Sequence, residues 1–167
     1  MFSYKVDDEI ELRLLEERHA EEVFRMLEQN RSHLEEELTW LDEQLTLNDA
    51  REYIKAGLER FSANNGFRAG IWLRGQLAGI VSLHNLSWND RRASLGYWLG
   101  ASFQGQGIVT KACRALIGYS FKELKLNRLE IQCAPENGRS RKVAERLGFT
   151  EEGRLRQSWW IRGRFVD

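Results

Sequence analysis

The thirteen residues Gly96–Ile108, GYWLGASFQGQGI, constrain this chain more than any other stretch. A strand-like run passes through a glycine-rich turn into the start of a helical pattern. Gly105 and Gly107 carry no Cβ, so the backbone can turn tightly there and aim several N–H groups in one direction. The first N–H groups of the following helix have no internal partner and lie at the positive end of its dipole. That combination suits a phosphate or pyrophosphate. Two phosphate-binding patterns fail on the residues themselves. Gly100 and Gly105 have the spacing of GxxxxGK[ST], but Gln106 and Gly107 replace the lysine and the hydroxyl residue, which removes nucleotide hydrolysis. Gly105-Gln106-Gly107 opens a dinucleotide fingerprint, yet Thr110 stands where its last glycine belongs. The segment also lies deep in the chain, after antiparallel-looking strands, where a first βαβ unit should not be.

The 167 residues fit one domain, 1–167, with no linker, repeat or low-complexity tract to divide them. The 25 basic and 25 acidic side chains cancel, which argues against a general nucleic-acid binder. Two cysteines, Cys113 and Cys133, form neither a disulfide framework nor a metal-binding cluster, so no metal is expected. The N-terminus lacks a basic segment followed by an apolar one, and no apolar run approaches the roughly 20 residues of a membrane span. A cytoplasmic protein without a membrane partner is the expectation.

Periodicity predicts a first strand at Ile10, Leu12 and Leu14, then a helix from Arg18 to Asn30. Ser32 to Leu47 is ambiguous, with a short helix around Leu34 to Leu38. Asn48 is the predicted cap of a helix running to about Ala63. Strands follow at Phe67–Leu73, Leu77–Leu86 and about Ala93–Leu99, the first two flanking the hairpin signal Arg74-Gly75-Gln76. A helix is expected over Ile108–Leu124, a strand over Leu129–Ala134 and a helix over Asn137–Leu147 closed by Gly148. A last, partly polar strand is read at Phe149–Gln157. Strands grouped between helices indicate an α+β domain.

Gln104-Gly105-Gln106-Gly107-Ile108-Val109 resembles motif A of the GNAT superfamily of N-acetyltransferases, Q/R-x-x-G-x-G/A, with Val109 in place of the usual Gly or Ala. Downstream, Asn137-Gly138-Arg139-Ser140, closing with Leu147-Gly148-Phe149, is similar to the family's second cofactor segment. Ile10–Leu15, Gly79–His84, Leu95–Leu99 and Glu151–Arg154 look like the RimJ/RimL-like branch, so the resemblance runs from about Ile10 to the end. It implies a GNAT fold, a central mixed and mostly antiparallel sheet flanked by helices. It implies acetyl-CoA as donor, held by the backbone of Gln104, Gly105, Gln106, Gly107, Ile108, Val109 and Thr110, by strand residues Trp98 and Leu99, and by Asn137 and Ser140. The acceptor is then an amine: a small amine or a protein N-terminus, some members of that branch acting on ribosomal proteins. Relatives carry a further strand beyond the position of Asp167; the expectation is either a shortened chain or a partner in that slot, with an open edge inviting a homo-oligomer.

Transfer from a thioester needs a neutral amine, a polarised carbonyl and a proton for the leaving sulfur. The carboxylates that the resemblance implies are missing: Gln132, Ser94 and Trp159 hold their places. Glu130, on the face of Gln132, and His84, which titrates in the right range, are the substitute bases. Ser140 is the candidate proton donor to sulfur. The missing carboxylates also motivate a second hypothesis, an acyl-CoA-binding sensor or assembly module without turnover. Trp40, among Glu35, Glu36, Glu37, Asp42 and Glu43, is the candidate acceptor wall, with those acids able to draw a cationic amine.

Overall fold

In a computed structural model, which describes residues 3–35, 38, 41, 45–161 and 163–167, six strands form one sheet in chain order. They are β1 (Ser3–Lys5), β2 (Ile10–Leu14), β3 (Phe67–Leu73), β4 (Gln76–Ser87), β5 (Arg92–Leu99) and β6 (Arg128–Glu130). Neighbours are antiparallel up to β5, and β5 pairs with β6 in parallel. The α+β reading and the mixed sheet therefore hold.

Alternation along the strands gives the sheet two apolar faces. Leu12, Ile71, Val81 and Leu95 pack with Ile108, Ala112, Cys113 and Leu116 of helix α4 (Ile108–Lys122). On the opposite face Trp72, Ile80 and Trp98 pack with Val23 and Leu27 of α1 (Ala20–Gln29) and Ile54 of α3 (Leu47–Ser62). A one-turn helix, α2 (Arg31–Leu34), buries Leu34 on the same side. Burying a Leu- or Ile-sized side chain is worth about 1.5–3 kcal/mol, and both layers are built of such residues.

Four local expectations are corrected. The cap of α3 is Thr46, not Asn48: its hydroxyl accepts from the Asp49 N–H at 3.3 Å while the Asp49 carboxylate accepts from the Thr46 N–H at 2.7 Å. This reciprocal box satisfies two donors that a cap at Asn48 would leave open. The short helix starts at Arg31, ahead of the expected Leu34, and residues 36 and 37 of the expected stretch lie outside the described residues. Strand β6 stops at Glu130, so Ile131–Ala134 are not in a strand. Phe149–Gln157 forms no strand; Glu151 and Glu152 are drawn into ion pairs with Arg141 and Arg128. Two short strands beyond it, β7 (Trp159–Ile161) and β8 (Arg164–Val166), pair only with each other. Trp40 and the acids Glu36, Glu37, Asp42 and Glu43 lie outside the described residues.

Candidate active site

The early end of β6 makes the site. Its pairing with β5 covers Arg92–Arg128, Ala93–Leu129 and Ser94–Glu130 and then stops. From Leu95 to Leu99, β5 keeps β4 on one edge and faces open space on the other. The Gly100 N–H donates to the Ala78 carbonyl at 2.9 Å, so by strand alternation the N–H groups of Leu99 and Tyr97 point to the open edge. A cleft of about 1530 Å³ runs along that edge. Its walls are β5, residues 131–134, the glycine turn, and helix α5 (Gly138–Arg146).

At one end of the cleft lies the glycine turn. Gly105 and Gly107 have φ of 74° and 73°, the left-handed region that disfavours any residue with a Cβ. Among the described residues, none of the six N–H groups from Gly105 to Thr110 has an acceptor; the first bonded amide is Lys111, to the Gly107 carbonyl at 3.0 Å. Gln104, Gly105, Gly107, Ile108, Val109 and Thr110 all border the cleft, as do Trp98 and Leu99. Gln106 is the exception: it is exposed, does not line the cleft, and its side-chain amide donates to the Ser102 carbonyl at 3.0 Å. Val109 rests partly on the sheet core while bordering the cleft, so its branched side chain is shared between them. Across the cleft, the Asn137 side chain caps α5 by accepting from the Ser140 N–H at 3.0 Å. Arg139, Lys142 and Arg146 of α5 add positive charge to the same wall. Open amides plus cations fit a diphosphate with a further phosphate, the polar end of coenzyme A.

The proposed chemical groups separate. Ser140 lines the cleft, with its Oγ 3.0 Å from the Tyr97 hydroxyl oxygen, and Tyr97 also donates to the Ser140 carbonyl at 3.0 Å. His84 lines the cleft on the α3 side. Burial, then the charges of Arg60 and Arg68, hold its imidazole below the usual pKa of 6.5, which leaves it neutral at pH 7. Glu130 stands apart from them. It borders not this cleft but a smaller one of about 300 Å³ beside Asn85 and Ser94. Arg128 holds its carboxylate at 2.9 Å, and Arg92 lies 3.8 Å away.

Sequence reasoning overlooked Arg68, Tyr53 and Tyr97. Arg68 had left a signal, being a charged residue at an inward position of an otherwise apolar strand, and Tyr97 sits inside the segment that carried the family resemblance. Among the described residues no group of three or more His, Cys, Asp and Glu could hold a metal ion, and no helix is long and apolar enough to cross a membrane.

A parted strand pair beside an amide-lined turn defines an acyl-CoA-dependent transferase. Comparison with known proteins agrees: the model of the acetyltransferase (GNAT) domain matches residues 9–150. The chain belongs to that family and is an acetyl-CoA-dependent N-acetyltransferase. It is 42% identical to YdaF of Bacillus subtilis, provisionally named a ribosomal N-acetyltransferase, over 100% of this chain and 92% of that one. It is 29% identical to the ribosomal-protein-serine acetyltransferase of Escherichia coli, covering 98% and 91%. Among solved structures, RimL, a ribosomal L7/L12 α-N-protein acetyltransferase in complex with coenzyme A, superposes with a TM-score of 0.94. That match has 26% identity over 98% of this chain and 93% of that one.

Proposed function

We propose that this chain acetylates the N-terminal α-amine of a protein, of the ribosomal type, in the cytoplasm. The relatives' names support the acceptor class. The observation that carries the reading is the run of open amides from Gly105 to Thr110, all but Gln106 belonging to residues that border the cleft, with His84 lining the same cleft farther along. One catalytic domain, 1–167, accounts for this arrangement, since both apolar layers share the one sheet. Exposed Trp160 and Phe165, in edge-to-face contact with ring centroids 4.7 Å apart on the separate hairpin, support association with a second copy.

In this reading Gly105 to Thr110, Asn137 and the α5 cations hold acetyl-CoA, and the open edge of β5 aligns its arm. Acetyl-CoA supplies the activated acyl group. The Leu99 N–H polarises the carbonyl to be attacked. His84, whose ring lies beside Gly96 of β5, accepts through a chain of water the proton that the α-ammonium, with a pKa near 8, must lose. The Ser140–Tyr97 hydroxyl pair returns a proton to the departing sulfur. Most of the acceleration comes from holding the two reactants together.

Thiol release from acetyl-CoA with a panel of N-terminal peptides and small amines tests the proposal. Acetylated peptide identified by mass spectrometry is the expected outcome; tight acetyl-CoA binding with no product on any amine would favour the non-catalytic sensor. A narrower prediction concerns the turn. Gly107→Val places a β-branched residue at φ 73°, costing at least about 1–2 kcal/mol there. The amides it redirects are those that face the cofactor, so acetyl-CoA affinity should fall about tenfold or more by calorimetry.

A further inference from the structure

The acceptor end of the cleft has a charge that the N-acetyltransferase reading alone does not require. Arg60, Arg68 and His84 line it, and along the whole cleft Glu136 is the one carboxylate among the described lining residues. Arg68 projects from β3 on the same face as Ser82 and Gly96, which stand in register with it across β4 and β5. Its guanidinium lies 3.9 Å over the Tyr53 ring and donates one hydrogen bond to the Tyr53 carbonyl. Among the described residues no carboxylate reaches Arg68 or Arg60. Burial makes the Arg68 charge harder to hold, Tyr53 beside it partly offsets this, and the charge of Arg60 adds to the cost. A half-buried guanidinium with unused N–H groups and no counter-ion is built to receive one.

Gly96 keeps the path from this guanidinium to the open edge of β5 clear. A Cβ there would lie 3.0 Å from the Ser82 Oγ and 3.1 Å from the His84 ring. Strands are about 4.8 Å apart, so Arg68 stands about 10 Å across the sheet from Gly96, and Leu99 lies about 10 Å farther along β5, roughly 14 Å in all. An extended peptide spans about 3.4 Å per residue, which places the guanidinium level with the third or fourth residue of an acceptor once the arginine's own reach is counted.

We infer that the acceptor is an acidic N-terminus, with an Asp or Glu side chain within its first four residues held by Arg68 and assisted by Arg60. This deepens the proposed function and rests on it. The acids around Trp40, read from the sequence as able to draw a cationic amine, lie outside the described residues apart from Glu35 and do not enter this inference. The same guanidinium groups disfavour polyamines, since like charges would meet at close range.

The test uses five-residue peptides with a free N-terminal serine and Asp, Asn or Lys at position 2, 3 or 4, with spermidine as the cationic probe. With the wild-type chain, kcat/KM for the best Asp peptide should exceed that of its Asn twin by about tenfold, as a charge-assisted pair predicts. Lys peptides and spermidine should be poorer still. Arg68→Gln should bring the Asp/Asn ratio close to one while acetyl-CoA affinity and melting temperature stay near wild type. Arg68→Lys should restore part of the ratio, which a purely structural role would not do. Arg60→Gln, at an exposed position, should lower the ratio less. Equal rates on Asp and Lys peptides, or a preference for spermidine, would overturn this inference and leave N-acetylation standing. Absence of turnover on every amine with acetyl-CoA still bound would overturn the underlying reading and this one with it.

Discussion

Exchanging His84 for glutamine lowers kcat by about a hundredfold or more at neutral pH, the range found when a positioned base is removed, and leaves acetyl-CoA affinity unchanged. Glutamine keeps much of the size and a hydrogen-bonding end but cannot take a proton. The pH dependence carries the sharper signature. Burial and two neighbouring guanidinium groups depress the imidazole pKa below 6.5. The neutral, proton-accepting form therefore dominates above that value, and activity is lost as pH falls through the depressed pKa. In the glutamine variant that acid limb disappears, and the limb near pH 8, where the acceptor's own amine titrates, remains. The folding equilibrium moves in the same direction: a histidine buried neutral contributes stability above the unfolded-state pKa that is lost on acidification. A variant retaining half of the wild-type turnover, with the acid limb intact, would remove His84 from the reaction.

Gly79→Val destabilises the fold by several kcal/mol, a large part of an ordinary domain's stability. A Cβ at this position would lie 2.2 Å from the Trp98 carbonyl oxygen and 2.9 Å from the Leu99 Cα. Both are main-chain atoms of the adjacent strand, so no rotamer change relieves the clash. Gly79 stands opposite Leu99 on β5 and beside the register shift at Ile71 and Trp72 of β3, between two strands that have no freedom to retreat. A cost of about 3 kcal/mol is expected for overpacking of this kind, lowering the melting temperature by about 10 °C in a chain of this length. Thermal and urea denaturation measure it. Gly79→Ala should already show much of the effect, and an alanine variant that melts with the wild type would show that the two strands can separate at no cost. The residues at risk are those whose amides edge the cleft, so any protein that still folds should bind acetyl-CoA poorly.

How much of this was legible in the sequence depended on the range of the forces involved. The glycine turn, the Asn137 cap and the alternating strands are local devices, each fixed by residues within a few positions, and their placement followed from spacing. Thr46 was passed over for Asn48 because both are good capping residues, and only the reciprocal bond from Asp49 separates them. The length of β6 could not be read, because nothing in Leu129–Ala134 itself says that the strand must part from β5 at Glu130. Glu130 looked like a base because its neighbours in sequence were known, while Arg92, in another strand, was not recognised as its partner. Arg68 was hidden for the opposite reason. Its charge was plain in the sequence, but its meaning lay in Tyr53, fifteen residues away on a helix packed over the sheet.

The parting of β5 from β6 divides labour between two kinds of atom. In the proposed reading the donor is gripped largely by peptide groups, which every residue supplies alike, so that half of the trough is indifferent to most exchanges of side chain. The acceptor, in the same reading, meets side chains from β3, β4 and α3 on the far wall. Such a molecule can be taught a new recipient by altering a few positions on that wall, with the machinery for the activated acyl group left as it stands.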